Sequence, residues 1–205
     1  LLHGDLGTSF VMNQPVFNLI KNAFPNTIKL ALSAIAFAWI LGIPIGIISA
    51  LKKNTCLDKL FMGVSLMGIS MPTFSIGIIL QYLIAYKLKW LPISGFTTPA
   101  HLILPSIVLG WSMAGEISRL IRTNLIDVIQ ADYITTAKAK GKSRMGIVIF
   151  HALKMSILPV ITIMMMQFTS LLGGALITEN IFSIPGIGTL SISALSNRDI
   201  PLLQG

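Results

Sequence analysis

The chain has 205 residues, of which 54% are hydrophobic and only 11% charged, and its mean hydropathy is +0.82. A soluble domain carries about a quarter charged residues, so a water-exposed globular fold is excluded and the solvent for much of this chain is lipid. The net charge of +8 is clustered in short segments, without the aromatic-interleaved basic groove of a nucleic-acid binder.

Four apolar stretches follow one another, predicted as membrane-spanning helices at roughly 27–51, 60–86, 102–122 and 155–178. Three of them hold charge-free runs longer than the roughly 20 residues that a helix needs to cross a bilayer core. The third is apolar through Ala114 and then carries Glu116 and Arg119. No alternating pattern suggests a barrel, so helices must satisfy the backbone. The predicted fold is all-α: a polytopic helical membrane protein with four spans in one transmembrane domain over residues 1–205.

In the first span Gly42 and Gly46 are four residues apart with Pro44 between them, a spacing that suits close helix packing or a bend. Pro72, after Met71, predicts a kink in the second span. Glu116 and Arg119 are three apart on the third, and an i,i+3 pair near the cytoplasmic interface is the expected role of that acid. Met164, Met165 and Met166 read as soft packing.

Charge orients the spans. Residues 52–59 and 119–154 together hold ten of the fifteen Lys and Arg residues. An even number of spans puts both segments on one side, which the positive-inside rule makes the cytoplasm. The beginning of the chain, the 87–101 loop and the tail from 179 then lie outside. Within that tail Pro185, Gly186 and Gly188 predict a turned or partly re-entrant loop, and an ordinary surface turn fits as well.

The segment 123–154 is long for a loop between spans. Ile126, Ile129, Tyr133 and Ala137 recur at helical spacing, Lys138 and Lys140 sit where a helix end favours cations, and Gly141 is a natural stop. A short amphipathic helix is predicted, suited either to lipid headgroups or to a cytoplasmic partner.

The run Asp132-Tyr-Ile-Thr-Thr-Ala-Lys-Ala-Lys-Gly141, followed by His151-Ala-Leu-Lys154 and Leu158-Pro159, resembles the coupling loop of binding-protein-dependent ABC import permeases. The resemblance is nearest to the dipeptide/oligopeptide/nickel branch. Gly4-Asp-Leu-Gly-Thr-Ser9, Glu179-Asn-Ile-Phe-Ser-Ile-Pro-Gly-Ile-Gly188 and Asn197-Arg-Asp-Ile-Pro201 through Gln204-Gly205 agree with it, in order along the chain. The general loop of such permeases carries Glu-Ala-Ala where this chain has Thr135-Thr136-Ala137, and its Gly-to-Leu-Pro interval is shorter than that from Gly141 to Leu158-Pro159.

The resemblance implies a pore made with a second permease subunit. It also implies two cytoplasmic ATPase subunits that carry ATP and magnesium, and a substrate-binding protein docked outside. Asp132, Tyr133, Ala137, Lys138 and Gly141 would form the contact with an ATPase, and peptide is the implied cargo with nickel as the alternative. The membrane would be a bacterial or archaeal cytoplasmic membrane. About six spans are usual in this branch, so a first and a last span are expected beyond these four.

Enzyme chemistry has little to stand on. No Gly-x-x-x-x-Gly-Lys-Ser/Thr run is present to bind ATP, and Ser70 in the second span lacks a nearby base, because His3, His101 and His151 lie at or beyond predicted span ends. Neither a catalytic set nor a metal site is predicted; three scattered His and the single Cys56 form no ligand cluster. A secondary transporter would be favoured by inverted repeats and midplane charges, neither of which is clear.

Overall fold

The computed structural model describes residues 6–132, 134, 144–173 and 175–205, with the side chains of 144 and 145 outside the description. Nine helices account for most of the described residues: α1 (Val16–Leu51), α2 (Cys56–Ser70), α3 (Thr73–Leu80), α4 (Ala100–Ile129), α5 (Arg144–Ile147), α6 (Leu158–Leu172), α7 (Leu176–Ile181), α8 (Ile187–Ser196) and α9 (Ile200–Gln204). The α3 helix runs on as a π-helical turn, Gln81–Lys87, and α5 continues through Val148–Ala152 and Leu153–Ser156. The one β contact among the described residues is an isolated bridge between Thr8 and Pro15.

Among the described residues two helices, α1 and α4, are long and apolar enough to cross a membrane, and the number rises to four if each of two bent pairs is one span. These pairs are Cys56–Ser70 with Thr73–Lys87, and Val148–Ser156 with Leu158–Leu172, the second bent by 50°. The helix boundaries differ from those expected, and each difference has a local cause. The first helix starts at Val16 instead of 27, because Pro25 does not stop it.

The second predicted span breaks at Met71, whose extended backbone (φ −85°, ψ 134°) is what a residue before proline prefers. The third runs seven residues past 122, since neither Gly nor Pro interrupts 122–129. Ile126 and Ile129 therefore end α4 and do not open a separate amphipathic helix. The fourth predicted span stops at Leu172, just before the glycine at 173.

The described chain packs as two compact units. The first comprises Leu1–Ala34, Pro72–Leu109 and Phe168–Gly205. Its core is Leu30, Ile76, Ala85, Leu104, Val108, Phe182 and Ile184, all buried. A smaller cluster of Val16, Ala194 and Leu202 joins the start of α1 to the tail. The second unit comprises Ile35–Met71 and Gly110–Gln167. Ala38, Ala114, Ile117, Ile121, Val160 and Met164 form one of its cores, and Ala50, Leu125, Ile134, Ile147 and Ala152 another.

Outward-facing positions are apolar too: Ile40 is 70% exposed, Phe150 71% and Trp90 74%. Exposed large apolar side chains of this kind fit a hydrocarbon solvent.

Within the second unit α1 and α4 approach backbone to backbone. A Cβ at Gly46 would stand 2.7 Å from the Ser118 carbonyl oxygen and 2.8 Å from Ile121 Cβ, and one at Gly42 2.9 Å from the Ala114 carbonyl oxygen. Small residues one turn apart are what allow such an approach, and dispersion is the main attraction available in lipid.

The start of α2 is tied to α4 by Arg122, whose Nε donates to Asp58 Oδ1 at 2.6 Å and whose Nη2 donates to Oδ2 at 2.7 Å. Asn54 N–H donates to the same carboxylate at 2.8 Å, and Thr55 Oγ1 caps the helix by accepting from Asp58 N–H. Further along the same helix pair the Ser65 and Ser118 hydroxyls meet at 2.8 Å.

Gly46→Ala forces a methyl group against a main-chain oxygen that has no rotamer to retreat into. A net loss of about 1–3 kcal/mol is expected. Gly63→Ala, at a helical position with nothing within 4 Å, is expected to be neutral or stabilising by up to about 1 kcal/mol. Thermal unfolding of the detergent-solubilised full-length protein checks both, and equal melting temperatures would refute the close α1–α4 contact.

Candidate functional site

Glu179 organises the tail of the first unit. It lies on the short α7, is fully buried, and accepts a hydrogen bond from Thr27 Oγ1 at 2.7 Å on one oxygen. Its other oxygen accepts from Gly188 N–H at 2.7 Å and from Thr189 N–H at 3.2 Å. Thr27 Oγ1 in turn accepts from Ile187 N–H at 2.9 Å. The carboxylate is thus seated on the unpaired N–H groups that open α8, where the helix dipole is positive.

Close packing follows from this seat. A Cβ at Gly186 would meet Glu179 Oε2 at 2.5 Å, and one at Gly188 would meet Leu176 Cα at 2.7 Å and the same oxygen at 2.8 Å. Pro185 offers its carbonyl to Asn26 Nδ2 at 2.8 Å. Pro185, Gly186 and Gly188 therefore surround one buried acid, and the tail is fastened to α1 through Asn26 and Thr27. With donors on both oxygens, this carboxylate holds a loop in place.

The end of the tail is fixed in a similar way. Asp199 is buried and accepts from Ser9 Oγ and from the N–H groups of Phe10 (3.2 Å) and Val11 (3.3 Å). Burial alone would raise the Asp199 carboxyl, but the hydrogen bonds from Ser9, Phe10, Val11 and Leu202 together outweigh it and hold the group below the ordinary carboxylate range. A depressed pKa contributes stability that is present above the unfolded value and is lost only as pH falls through the folded one. This contact is therefore intact at neutral pH.

The second unit holds an open cleft of about 440 Å³ lined by Ile69, Glu116, Arg119, Leu120, Thr123 and Ile163. Glu116 lies near the middle of α4, and both it and Arg119 are exposed on this chain. The hydrogen bond that holds the Glu116 carboxylate comes from Gln167 Nε2 on α6, at 2.8 Å. The expected i,i+3 pairing with Arg119 is thus replaced by a contact to another helix. Among the described residues the Arg119 guanidinium has no partner, and Gln167 Oε1 is buried without one.

The residues expected to couple to a partner are mostly outside the described set. Asp132 is described and exposed, just beyond the end of α4. Tyr133, Ala137, Lys138 and Gly141 lie outside it. Gly42, Pro44 and Gly46 sit on α1, the two glycines against α4, and Pro72 stands at the start of α3. Thr27, Gln167 and the buried role of Glu179 escape sequence reasoning. A polar residue inside an apolar helix is the signal that marks the first two.

Replacing Glu179 by Ala leaves Thr27 Oγ1 and two backbone N–H groups without their acceptor, at about 1–3 kcal/mol for each unmet group. The expected outcome is a marked fall in the melting temperature of the solubilised full-length protein and faster proteolysis in the 183–188 turn. Unchanged stability and cleavage would contradict the buried acid's structural role.

Comparison with known proteins agrees with this architecture. Residues 42–205 match the family described as binding-protein-dependent transport system inner membrane component. Over 204 residues, all of this chain and 67% of the relative, the sequence is 40% identical to the glutathione transport system permease protein GsiC of Pectobacterium atrosepticum. It is 38% identical over 203 residues to GsiC of Escherichia coli K12, covering 99% of this chain and 66% of the relative. The chain thus spans about two thirds of the length of these relatives.

A solved chain from the MetNI methionine ABC transporter shares the fold with a TM-score of 0.71, 15% identity, and coverage of 92% of this chain and 89% of that one. A second crystal form superposes with a TM-score of 0.75 over 91% of this chain and 85% of that one, also at 15% identity. Helices that satisfy their own backbone in lipid, close glycine packing and the family match lead to one conclusion: this chain is a multi-pass membrane protein belonging to the binding-protein-dependent transport system inner membrane components, the permease subunits of ABC importers.

Proposed function

We propose that the chain forms part of the pore of an ATP-driven importer that carries short peptides across a bacterial or archaeal cytoplasmic membrane. The observation that carries this reading is the alignment of its entire length with permease proteins of glutathione transport, since glutathione is itself a small peptide. A substrate-binding protein on the outside delivers the cargo, and a second permease subunit completes the pore. Two ATPase subunits in the cytoplasm bind ATP and magnesium; this chain contributes no catalytic group and needs no cofactor.

In this reading the segment 123–154 is the contact that transmits ATPase closure to the pore. Asp132, Tyr133, Ala137, Lys138 and Gly141 meet a groove on an ATPase, with small Ala137 allowing close approach and Gly141 letting the chain turn back toward the membrane. Gly42 and Gly46, together with the helix breaks at Pro72 and around Pro185, Gly186 and Gly188, are the places where helices and loops shift during gating. Packed glycine contacts suit such movement, because they have discrete arrangements and few side chains to rearrange.

The test uses cells lacking the full-length gene, supplied with labelled dialanine, glutathione or nickel. Peptide uptake is expected to disappear and to return with the intact gene. Gly141→Pro in the full-length protein is expected to insert normally and to leave ATP hydrolysis running while transport falls about tenfold or more, the effect of breaking a coupling element. Loss of nickel uptake alone would overturn the peptide assignment, and normal transport by Gly141→Pro would overturn the coupling role.

A further inference from the structure

The acids of this protein that lie in or beside apolar helices are met in different ways. Asp58 has a guanidinium and Glu179 has three N–H and O–H donors. Glu116 has one amide donor and is otherwise open to the cleft, and among the described residues nothing pairs with Arg119 beside it. An acid on an apolar helix that faces an open cleft is a candidate functional group. Two opposite charges one helical turn apart, kept from neutralising each other, are a stronger sign.

The cleft's chemistry narrows what fits. Its volume of about 440 Å³ lies within the roughly 300–1,000 Å³ range of small-molecule sites. Ile69, Leu120 and Ile163 give it apolar walls, which accept many side chains without choosing among them. Positions i and i+3 on a helix place Cβ atoms about 5–6 Å apart, and two extended residues span at most about 7 Å. The two charged ends can therefore be bridged by the termini of a short peptide. A bare cation is attracted by Glu116 and repelled by Arg119, and a simple anion the reverse, whereas a ligand that carries both charges gains at both ends.

We propose that this cleft is a recognition site on the transport path for zwitterionic short peptides, in which Glu116 receives the free ammonium and Arg119 the free carboxylate. The proposal rests on the peptide-import reading above and adds to it a filter within the pore itself. Gln167 engages the Glu116 carboxylate, and no ion pair joins Glu116 to Arg119 among the described residues, which leaves the cleft an acceptor end and a donor end. A phosphatidylethanolamine headgroup has the same pair of charges and is the competing source of this chemistry.

The experiment measures equilibrium binding of labelled dialanine to the full-length permease, purified with its partner permease and ATPases but without the binding protein. The complex is held in nanodiscs of phosphatidylglycerol, whose headgroup has no ammonium. Dialanine is expected to bind, with dialaninamide and N-acetyl-dialanine each competing about tenfold or more weakly for want of one charged hydrogen-bond partner. Arg119→Gln is expected to remove the discrimination against the amide alone, and Glu116→Gln that against the N-acetyl peptide alone. Arg119→Lys keeps a cation and is expected to bind dialanine within a few-fold of the parent, which controls for assembly.

Equal competition by all three peptides, or loss of all binding alike in both neutral variants, overturns the assignment. So does binding that disappears when phosphatidylethanolamine replaces phosphatidylglycerol, which would make the cleft a headgroup site. Peptide uptake by cells with no dialanine binding here removes this proposal and leaves the importer reading standing. Absence of both removes the two together.

Discussion

A carboxylate buried inside the protein needs donors, and much of this structure is arranged around supplying them. Leaving such a group unmet costs several kcal/mol, so each buried acid recruits segments distant in sequence. Glu179 draws Thr27 from α1 and the first N–H groups of α8 to one point. Asp199 draws in the turn at residues 9–11, and Asp58 draws in Arg122. Burial in protein removes water as an alternative partner, which makes these few polar contacts decisive for where loops go. The apolar cores are comparatively permissive, because side chains facing lipid and side chains facing protein are chemically alike.

Glycine complements the acids. At Gly46 the absent side chain lets a neighbouring backbone approach, whereas at Gly186 and Gly188 it makes room for a carboxylate. The first use is helix packing in a solvent without a hydrophobic drive. The second is an anion held by helix N–H groups, here supplied by the protein's own chain. Both leave backbone surfaces in contact that can separate and re-form without rotamer strain, as the proposed gating would require.

What can be read from sequence divides along the range of the interaction. Hydropathy runs locate the membrane helices because transfer into lipid is a sum over local residues, and Pro72 marks its break because the clash with Met71 is local. The helix ends at 16 and 129 escape such a reading because nothing local stops those helices, and the stop at Leu172 because it is set by the glycine that follows and not by hydropathy. The Pro185, Gly186 and Gly188 cluster is visible, but its cause is not. Glu179 and Thr27 are 152 residues apart, and no periodicity links them. Glu116 stands out as an oddity, and a local rule pairs it with Arg119; the real donor, Gln167, lies 51 residues away.

That last contact changes what the cleft can be. Had Glu116 paired with Arg119, the two charges would have cancelled across one turn and the surface would have been a neutral patch near a membrane interface. Taken by Gln167, the carboxylate is fixed on one side while the guanidinium remains available on the other. An amide suits that role, because it orients a carboxylate through a neutral donor and leaves its negative charge intact, as a lysine or arginine at position 167 would not. In the proposed reading, polarity along the cleft then persists without a net charge, which suits a neutral zwitterion more than tight capture of an ion. A pore that has to release what it recognises is better served by two separable, partly solvated contacts than by one deep charge pair.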